Sequence, residues 1–359
     1  MRLTVSLFTV QAGAQAYAQI RREGLRVQDV AAVFGASGAA KWLAISGLDK
    51  AIFGRWLADA PQRILLFGTS VGAFKLAAAA QRNPVEALDR LAEAYIEQRY
   101  PDGLSLDAID LQIKLILEQT MPQAELAGII DNPRYLFSCG ATACSGLLGN
   151  DQAVPQSLGM LATALRELSP RVLGLEAGLK RVIFCVDAAR PLLQGSGSEL
   201  VTLDAQALTP AIIASGSLPV YMRGVRGLHA HTLRDGGLLD YHPVPANILG
   251  AGSGLVLYPH FYTHLVERWF DKFYPWRKVA PARLDNVVLI SPSREFCASL
   301  ELGRLPDRGD FKRFEKRDDE RMRLWRAARL RSEELGEQFL ERAASGEIAG
   351  DVRPLGSDH

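Results

Sequence analysis

The sequence carries almost no excess of charge of either sign. Its 41 lysines and arginines oppose 40 aspartates and glutamates, which leaves a formal net charge of +1 at pH 7. Proteins that bind nucleic acid through its phosphates usually carry a clear excess of positive charge, so no nucleic-acid partner is expected. Cysteine is scarce too, with four in 359 residues and none in a CxxC pair. With so few cysteines we expect no disulfide framework and no zinc site, and a reducing compartment is favoured.

Uninterrupted apolar segments are short throughout the chain. None approaches the roughly 20 residues that a membrane-spanning helix requires, so no transmembrane helix is predicted. Residues 3–10 and the small residues after them faintly resemble a signal peptide, but their polar side chains suit a short strand equally well. We expect a cytoplasmic location, while contact with a membrane surface and secretion stay open.

The first third of the chain alternates strand-like and helix-like segments. Apolar runs at residues 27–34 and 64–67 predict buried strands, and each is followed, after a glycine turn, by a helical pattern, at 41–53 and 71–81. This order favours a parallel sheet covered by helices. Further strands are predicted at residues 135–139, 182–186, 200–203, 255–258 and 287–290, and helices at 11–22 and 84–126.

No repeat or long linker divides the chain. We therefore predict a lead-in at residues 1–26, one α/β domain at 27–300, and a charged C-terminal helix and tail at 301–359. Lysines and arginines are dense over residues 311–331, and a narrow apolar stripe runs through the same region with helical spacing. Its members are Trp325, Ala328, Ser332, Leu335 and Phe339. We expect the stripe to pack on the domain, with contact to anionic lipid as the alternative.

One GxSxG motif occurs, Gly68-Thr69-Ser70-Val71-Gly72. It lies between a predicted strand and a predicted helix, where a nucleophile elbow holds a serine on a sharp turn. The two glycines leave room for that turn, and the amide dipole of the helix faces the reacting oxygen. This placement favours Ser70 as a nucleophile over Ser70 as a plain helix N-cap.

Two other segments supply what a serine nucleophile needs. Asp235 precedes Gly236 and Gly237, which leave its carboxylate open to approach by another group, although the same tripeptide is typical of a turn. The glycine-rich residues 35–41 follow a strand and open a helix, so their amides are candidates to hold an anion. The alternative for that loop, dinucleotide binding, lacks the GxGxxG pattern.

Taken in this order, these segments resemble the patatin-like phospholipases. The family shows a glycine-rich oxyanion loop, then GxSxG, then Asp-Gly-Gly or Asp-Gly-Ala, and an Ala-Ser-x-x-x-Pro segment shortly before the aspartate, which residues 214–219 match. The likeness covers about residues 27–250. It implies a three-layer α/β/α fold with a mostly parallel central sheet, and a lipid acyl-ester hydrolase of the phospholipase A or esterase type.

The resemblance also assigns roles to residues. Ser70 would attack an ester carbonyl and Asp235 would accept its proton, with no histidine, metal, calcium or other cofactor. The oxyanion hole would use amides of Gly35, Ala36, Ser37, Gly38 and Val71. Supporting positions would be Gly68, Gly72, Gly236, Gly237 and Lys41. The family usually shows Gly-Gly-Gly-x-Arg/Lys-Gly, whereas this chain has Gly-Ala-Ser-Gly-Ala-Ala-Lys, in which Lys41 would take the basic position.

Two alternatives to this reading remain. An α/β-hydrolase triad would combine Ser70 and Asp235 with one of three later histidines, which are His242, His260 and His264. A non-catalytic lipid-binding or scaffold protein on the same fold is the other, because a fold alone does not reveal activity.

Aromatic residues accompany basic ones at residues 258–262 and 269–278. They are typical either of a core helix or of a patch at a lipid interface. We therefore expect glycerophospholipids or neutral acylglycerols as substrates, met at a surface. His229 and His231 have no third ligand at suitable spacing, so no metal site is expected there. The oligomeric state is open.

Overall fold

A computed structural model describes residues 6–168, 178–193, 197–250 and 254–356 of the chain. Its ten strands form one sheet in the order β10-β1-β9-β8-β2-β3-β4-β5-β6, with β7 paired to β4. The strands are β1 (Phe8–Ala12), β2 (Val30–Gly35), β3 (Ile64–Gly68), β4 (Tyr135–Cys144), β5 (Leu179–Cys185), β6 (Ser198–Thr202), β7 (Thr232–Asp235), β8 (Leu255–Pro259), β9 (Val287–Pro292) and β10 (Arg353–Pro354). Most neighbours pair in parallel, with antiparallel pairs at β1–β9, β4–β5 and β4–β7.

Helices cover this sheet, which confirms the predicted three-layer α/β/α class. The α-helices are α1 (Ala14–Glu23), α2 (Ser46–Ala51), α3 (Val71–Ala79), α4 (Pro84–Ile96), α5 (Leu106–Thr120), α6 (Gln123–Ile130), α7 (Ala153–Leu168), α8 (Ala205–Gly216), α9 (Gly237–Asp240), α10 (Arg294–Ser299), α11 (Asp310–Arg313), α12 (Asp318–Ser345) and α13 (Ile348–Asp351). Short 3-10 helices lie at Val27–Asp29, Ala39–Ile45, Gly146–Gly149, Asp187–Leu192, Pro245–Asn247, Trp269–Phe273 and Pro281–Arg283, and a π-helix at Ile52–Trp56. Of the helices within the described ranges, none combines the length and the apolar character that a bilayer crossing demands.

The central strands β2 and β3 bring two glycine-rich turns to one edge of the sheet. Their residues are almost all buried and apolar, as expected for parallel strands covered on both faces. The two strands run in parallel, with Gly35 opposite Gly68. Because the carboxyl ends of adjacent parallel strands meet at the same edge, the predicted oxyanion loop and the GxSxG motif become neighbours.

Several predicted elements differ in extent from the observed ones. The helix predicted at residues 11–22 begins only at Ala14, because residues 8–12 pair with β9 and β10 in the main sheet. The region predicted as one helix at 41–53 consists of a 3-10 helix, an α-helix and a π-helix in succession. Its side chains are buried on nearly every side, and Gly47 packs directly on the backbone of Ser332. Tertiary packing therefore overrides the local helical preference there.

The charged C-terminal helix α12 packs on the domain by its apolar stripe. All five stripe residues are buried, and the Ser332 hydroxyl accepts a 2.9 Å hydrogen bond from the amide of Gly47. Gly336 lies so close to the Gly47 carbonyl that no side chain would fit between the two backbones. The stripe therefore faces protein and is not available to a lipid surface.

We expect Leu335→Ala to destabilise the protein, because Leu335 is 0% exposed at the centre of this contact. A buried leucine replaced by alanine costs about 2–5 kcal/mol in the free energy of unfolding. Leu330→Ala on the same helix is the control, since Leu330 is 60% exposed. Urea unfolding monitored by circular dichroism measures both, and equal losses for the two variants would contradict the packing of α12.

Candidate active site

Ser70 sits on a strained turn between strand β3 and helix α3. Its backbone has φ 53° and ψ −131°, a conformation that costs a non-glycine residue about 1–3 kcal/mol. The amide of Ser70 donates to both the carbonyl oxygen (3.1 Å) and the hydroxyl (3.0 Å) of Ser215. These hydrogen bonds hold the turn and leave the Ser70 side chain half-buried at the wall of a cavity.

The glycines around Ser70 allow two backbones to touch. Gly72, in the first turn of α3, packs on the carbonyl group of Gly35 at the end of β2, and a Cβ at Gly72 would overlap that carbonyl. Gly68 in turn packs on the backbone of Gly72. The glycines of the motif therefore allow the Ser70 turn to approach the glycine-rich loop at residues 35–41 closely.

Asp235 reaches the same place from the antiparallel strand β7. It lies opposite Ala141 of β4 and is 5% exposed. Its carboxylate accepts a 2.6 Å hydrogen bond from the amide of Gly237, and the Ser70 hydroxyl is near enough to lower the pKa of this carboxyl group. Its own carbonyl accepts a 3.0 Å hydrogen bond from the Thr142 hydroxyl. Two side chains from distant parts of the sequence thus meet at the wall of one cavity.

The carboxyl group of Asp235 is poised for proton transfer. Burial raises its pKa to about 6, against the lowering effects of the Gly237 amide, the Ser70 hydroxyl and the charges of Arg308 and Lys272. A general base works best when its pKa lies near the working pH while its charged form still predominates. Asp235 is therefore a stronger base than an exposed aspartate and is still mostly ionised at neutral pH.

Ser215 links the two halves of the pair. Its carbonyl oxygen accepts from the amide of Ser70 and, at 3.0 Å, from the amide of Gly236. Its hydroxyl donates a 2.6 Å hydrogen bond to the carbonyl of Gly140 in β4. Ser215 belongs to the 214–219 segment that the sequence singled out, although nothing in the sequence indicated this bridging contact.

The glycine-rich loop at residues 35–41 is hydrogen bonded to the GxSxG motif and to the segment after Asp235. The amide of Ser37 donates a 2.9 Å hydrogen bond to the carbonyl of Tyr241. The hydroxyl of Ser37 lies 3.0 Å from the hydroxyl of Thr69. The Thr69 hydroxyl in turn donates a hydrogen bond to the carbonyl of Asp240. The Ser37 amide is therefore engaged within the protein. Gly35 ends strand β2, and Ala36 is buried just after it.

Two residues that line the cavity have backbone amides without a hydrogen-bond partner among the described residues. Ala39, with φ 52°, and Val71 both line it, and within the described ranges neither amide has a hydrogen-bond acceptor. Gly38 precedes Ala39 and packs on the Phe261 ring. Ala39 was not among the donors predicted from the sequence; its positive φ is the signal, and only the structure supplies it.

A cavity of about 400 Å³ opens beside Ser70 and Asp235. Its wall is mainly apolar, with rings and branched side chains from α3, α5 and the segment after α8. Examples are Phe74, Ile109, Ile113, Leu218 and Met222. Ligand sites typically combine such an apolar lining with a few converging polar groups, so the cavity suits a largely apolar ligand with a polar group near Ser70.

The histidines of the triad alternative are placed elsewhere. The Nδ1 atom of His242 accepts from the amide of Val266 at 2.8 Å, and that of His260 accepts from the amide of Tyr262 at 2.9 Å. Burial lowers the pKa of His260 to about 3 and holds the pKa of His242 well below its usual value. Neither lines the cavity, and neither does His264. The arrangement disfavours a Ser-His-Asp triad.

Buried charged residues that the sequence analysis did not identify stabilise the elements that carry Ser70 and Asp235. Lys75 in α3 pairs with Asp49 at 2.9 Å, and Trp42 donates to the same carboxylate at 2.7 Å. Arg234, next to the candidate base, is buried and donates to the Met222 carbonyl at 2.8 Å. Lone charged residues in an apolar context are the only sequence signal for these contacts.

The other predicted residues lie at the rim or away from the site. Lys41 is half-buried, with its Nζ atom 6.0 Å from the centre of the Phe261 ring, and burial lowers its pKa. His229 lies 3.1 Å from Glu199. Across the described ranges, no group of three or more His, Cys, Asp or Glu side chains converges as a metal site would require.

Comparison with known proteins identifies no family for this chain. No family model matches the chain, and none of the curated proteins does. Among solved structures it is similar to VipD from Legionella pneumophila, with 11% sequence identity and a TM-score of 0.32. The match covers 76% of this chain and only 56% of the VipD chain. A likeness of this strength says nothing about activity, so the function has to be inferred from the site itself.

The Gly72–Gly35 contact yields a prediction. Gly72→Ala should destabilise the fold and displace the Ser70 turn, because the added methyl group overlaps the Gly35 carbonyl. Gly128→Ala in α6 is the matched control, since its methyl group would meet nothing within 4 Å and alanine in a helix gains about 0.5–1 kcal/mol over glycine. Thermal unfolding of both proteins is the measurement. A Gly72→Ala protein as stable as the wild type would refute the close approach.

Proposed function

We propose that this protein is a serine acyl hydrolase that cleaves acyl esters of lipids through an acyl-enzyme. The observation that carries the proposal is the placement of Ser70 and the buried carboxylate of Asp235 at the wall of one apolar cavity, where the Ser70 hydroxyl lowers the pKa of Asp235. A serine hydroxyl is a weak nucleophile unless a base accepts its proton, and Asp235 is the one carboxylate among the described residues that line this cavity.

The reaction would run in two halves. The Ser70 Oγ atom attacks the ester carbonyl carbon while its proton moves to the Asp235 carboxylate. The tetrahedral intermediate collapses, the bond to the alcohol breaks, and Asp235 returns the proton to the departing oxygen. Water then attacks the acyl carbon while its proton moves to Asp235. The bond from that carbon to the Ser70 Oγ atom breaks, Asp235 returns the proton to Oγ, and the fatty acid leaves.

The amides of Val71 and Ala39 would stabilise the oxyanion. Each lies at a cavity-lining residue beside Ser70, and an amide already aimed at the developing charge costs no reorganisation during the reaction. Loss of one such donor costs about 2.7–4 kcal/mol in other serine hydrolases. Gly38 is a further candidate, while Gly35 and Ala36 stay predictions from the resemblance.

A lipid substrate is supported by an exposed face of α7. Its large apolar side chains, spaced by turns of the helix, are between 49% and 71% exposed. We call them the α7 stripe; they are Val154, Leu158, Leu161 and Leu165. This helix lies close to the cavity. Its Gln156 side chain accepts a hydrogen bond from the amide of Val220, and the next residue, Tyr221, lines the cavity. A stripe so placed would hold the cavity against a lipid surface.

Loss of either member of the pair should abolish turnover. Ser70→Ala removes the nucleophile, and Asp235→Asn keeps the shape but cannot accept a proton, so each should lower kcat/KM by at least about 10³-fold. The measurement is hydrolysis of a panel of acyl esters of increasing chain length. Ser145→Ala, at an exposed serine, is the control and should keep full activity.

Two outcomes of that assay would decide against the proposal. Full turnover by both variants would show that the pair is not catalytic. No turnover of any ester by the wild type would favour the non-catalytic lipid-binding alternative.

The pH dependence follows from the raised pKa of Asp235. Because the base must be ionised, kcat/KM should rise with pH and level off above about 6. The same shift opposes folding: the folded state holds this proton more tightly than the unfolded chain, so stability falls as pH rises from about 4 to 6. Asp235→Asn should therefore raise the melting temperature more at pH 8 than at pH 4. A kcat/KM that falls across pH 5–7 would contradict this role.

The α7 stripe should govern binding to lipid vesicles. Leu158→Glu with Leu161→Glu places two charges on the stripe and should weaken cosedimentation with vesicles rich in phosphatidylglycerol by about tenfold. Leu330→Glu, equally exposed but on α12, is the control and should bind like the wild type. If the α7 variant sediments as well as the control does, this face does not contact lipid.

A further inference from the structure

Three aromatic side chains close one side of the cavity, and the proposed reaction uses none of them. Tyr95 lies in α4, Tyr100 follows the end of that helix, and Phe311 lies in α11; all three line the cavity that holds Ser70. We call Tyr95, Tyr100 and Phe311 the end wall. The rings of Tyr100 and Phe311 meet edge to face with their centres 5.2 Å apart, so these two rings are in contact.

The end wall is backed by the protein core. Trp325 of α12 is fully buried and does not line the cavity. The centre of its ring lies 6.2 Å from that of the Tyr95 ring and 5.3 Å from that of the Phe311 ring. Its Nε1 atom donates a 3.1 Å hydrogen bond to the buried carboxylate of Asp310. A ligand that reaches the end wall therefore meets packed protein and not solvent.

Hydrogen bonds fix the end wall in place. The Tyr100 hydroxyl donates to the Oε1 atom of Gln98 at 2.9 Å, and the Nε2 atom of Gln98 donates to the Tyr95 carbonyl at 2.7 Å. The buried Arg321 of α12 donates to the Gln98 carbonyl, and its guanidinium carbon lies 4.6 Å from the centre of the Phe311 ring. Displacement of the chain at the end of α4 would leave these polar groups without partners, which costs free energy. We therefore expect the end wall to keep its position when a ligand binds.

The volume in front of the end wall limits what the cavity can hold. A water molecule occupies about 30 Å³ in the liquid, and a methylene group is of similar size. The cavity volume of about 400 Å³ is therefore filled by about 13 such groups. The ester group and the first carbons of the alcohol take up part of this space beside Ser70. Room remains for about eight to ten acyl carbons, which is one chain of medium length and not the two chains of a diacyl lipid.

We propose that the end wall sets the length of the acyl chain, and that the preferred esters carry one chain of about eight to ten carbons. The inference rests on the proposed function in placing the ester carbonyl at Ser70. Each methylene group that enters the cavity leaves water and raises the affinity about fourfold. A methylene group for which the end wall leaves no room stays in water and adds nothing. The gain in affinity with chain length should therefore stop at a definite length.

Binding to a Ser70→Ala background tests this without relying on turnover. The probes are monoacylglycerols with six to fourteen acyl carbons, measured by titration calorimetry below their micelle concentrations. We expect the affinity to rise about fourfold per methylene group and to level off at about ten carbons. Phe311→Ala opens the end wall and should move this limit by about four carbons, and Phe311→Leu, which keeps more of the packing, by about two. Phe314→Ala is the matched control and should not move it, because Phe314 is also buried but does not line the cavity.

The outcomes separate this proposal from the catalytic one. An affinity that rises steadily through fourteen carbons, or a limit that both Phe311 variants leave in place, would overturn the role of the end wall while leaving the Ser70–Asp235 reaction untouched. An equal shift in Phe314→Ala and Phe311→Ala would show a general loosening of the fold and would also overturn it. A limit near ten carbons that moves only with Phe311 would support the proposal even if no ester were hydrolysed.

Discussion

The candidate site depends on the hydrogen bonds of Ser215. Its carbonyl oxygen accepts from the amides of Ser70 and Gly236, so one atom joins the nucleophile turn to the residue that follows the base. The Ser215 hydroxyl anchors this junction to β4 through Gly140. Without such an anchor the strained conformation of Ser70 would relax, because a backbone in that region persists only where its surroundings hold it.

In the proposed reaction, burial of Asp235 does what a histidine does in serine hydrolases that use a Ser-His-Asp triad. An exposed aspartate is a weak base, but burial raises the pKa of Asp235 to about 6, while nearby cations keep it from rising further. The ionised carboxylate is unfavourable in a buried position, so the raised pKa of Asp235 lowers the free energy of unfolding at neutral pH. Under the proposal, the same apolar wall that buries Asp235 would also hold an acyl chain, so substrate binding and base strength would have one physical origin.

Local patterns in the sequence predict the strands and turns around the candidate site well. Strands β2 and β3 are short apolar runs, and glycines at their ends mark the turns where Ser70 and the oxyanion loop lie. Strand β7 was not predicted, because four residues ending at Asp235 carry no alternation that marks a strand. Its position depends on pairing with β4, a contact between distant parts of the chain. Asp235 was found only through its Asp-Gly-Gly context.

Long-range packing also explains what the sequence misplaced. Tyr258 and Phe261, in a segment that suited a lipid interface, are buried in the core, whereas Phe273 and Trp276 further along are largely exposed. Arg308 and Phe311 lie in the region assigned to the tail and yet line the cavity. Composition cannot distinguish these cases, because an aromatic residue beside a cation occurs in cores and on surfaces alike.

A crystal structure of the protein after reaction with a fluorophosphonate would test the central claim most directly. We predict a covalent bond from phosphorus to the Ser70 Oγ atom, with the phosphoryl oxygen about 2.7–3.1 Å from the amides of Val71 and Ala39 and Asp235 still next to the modified serine. An unmodified Ser70, or an adduct whose oxygen points away from both amides, would contradict the account.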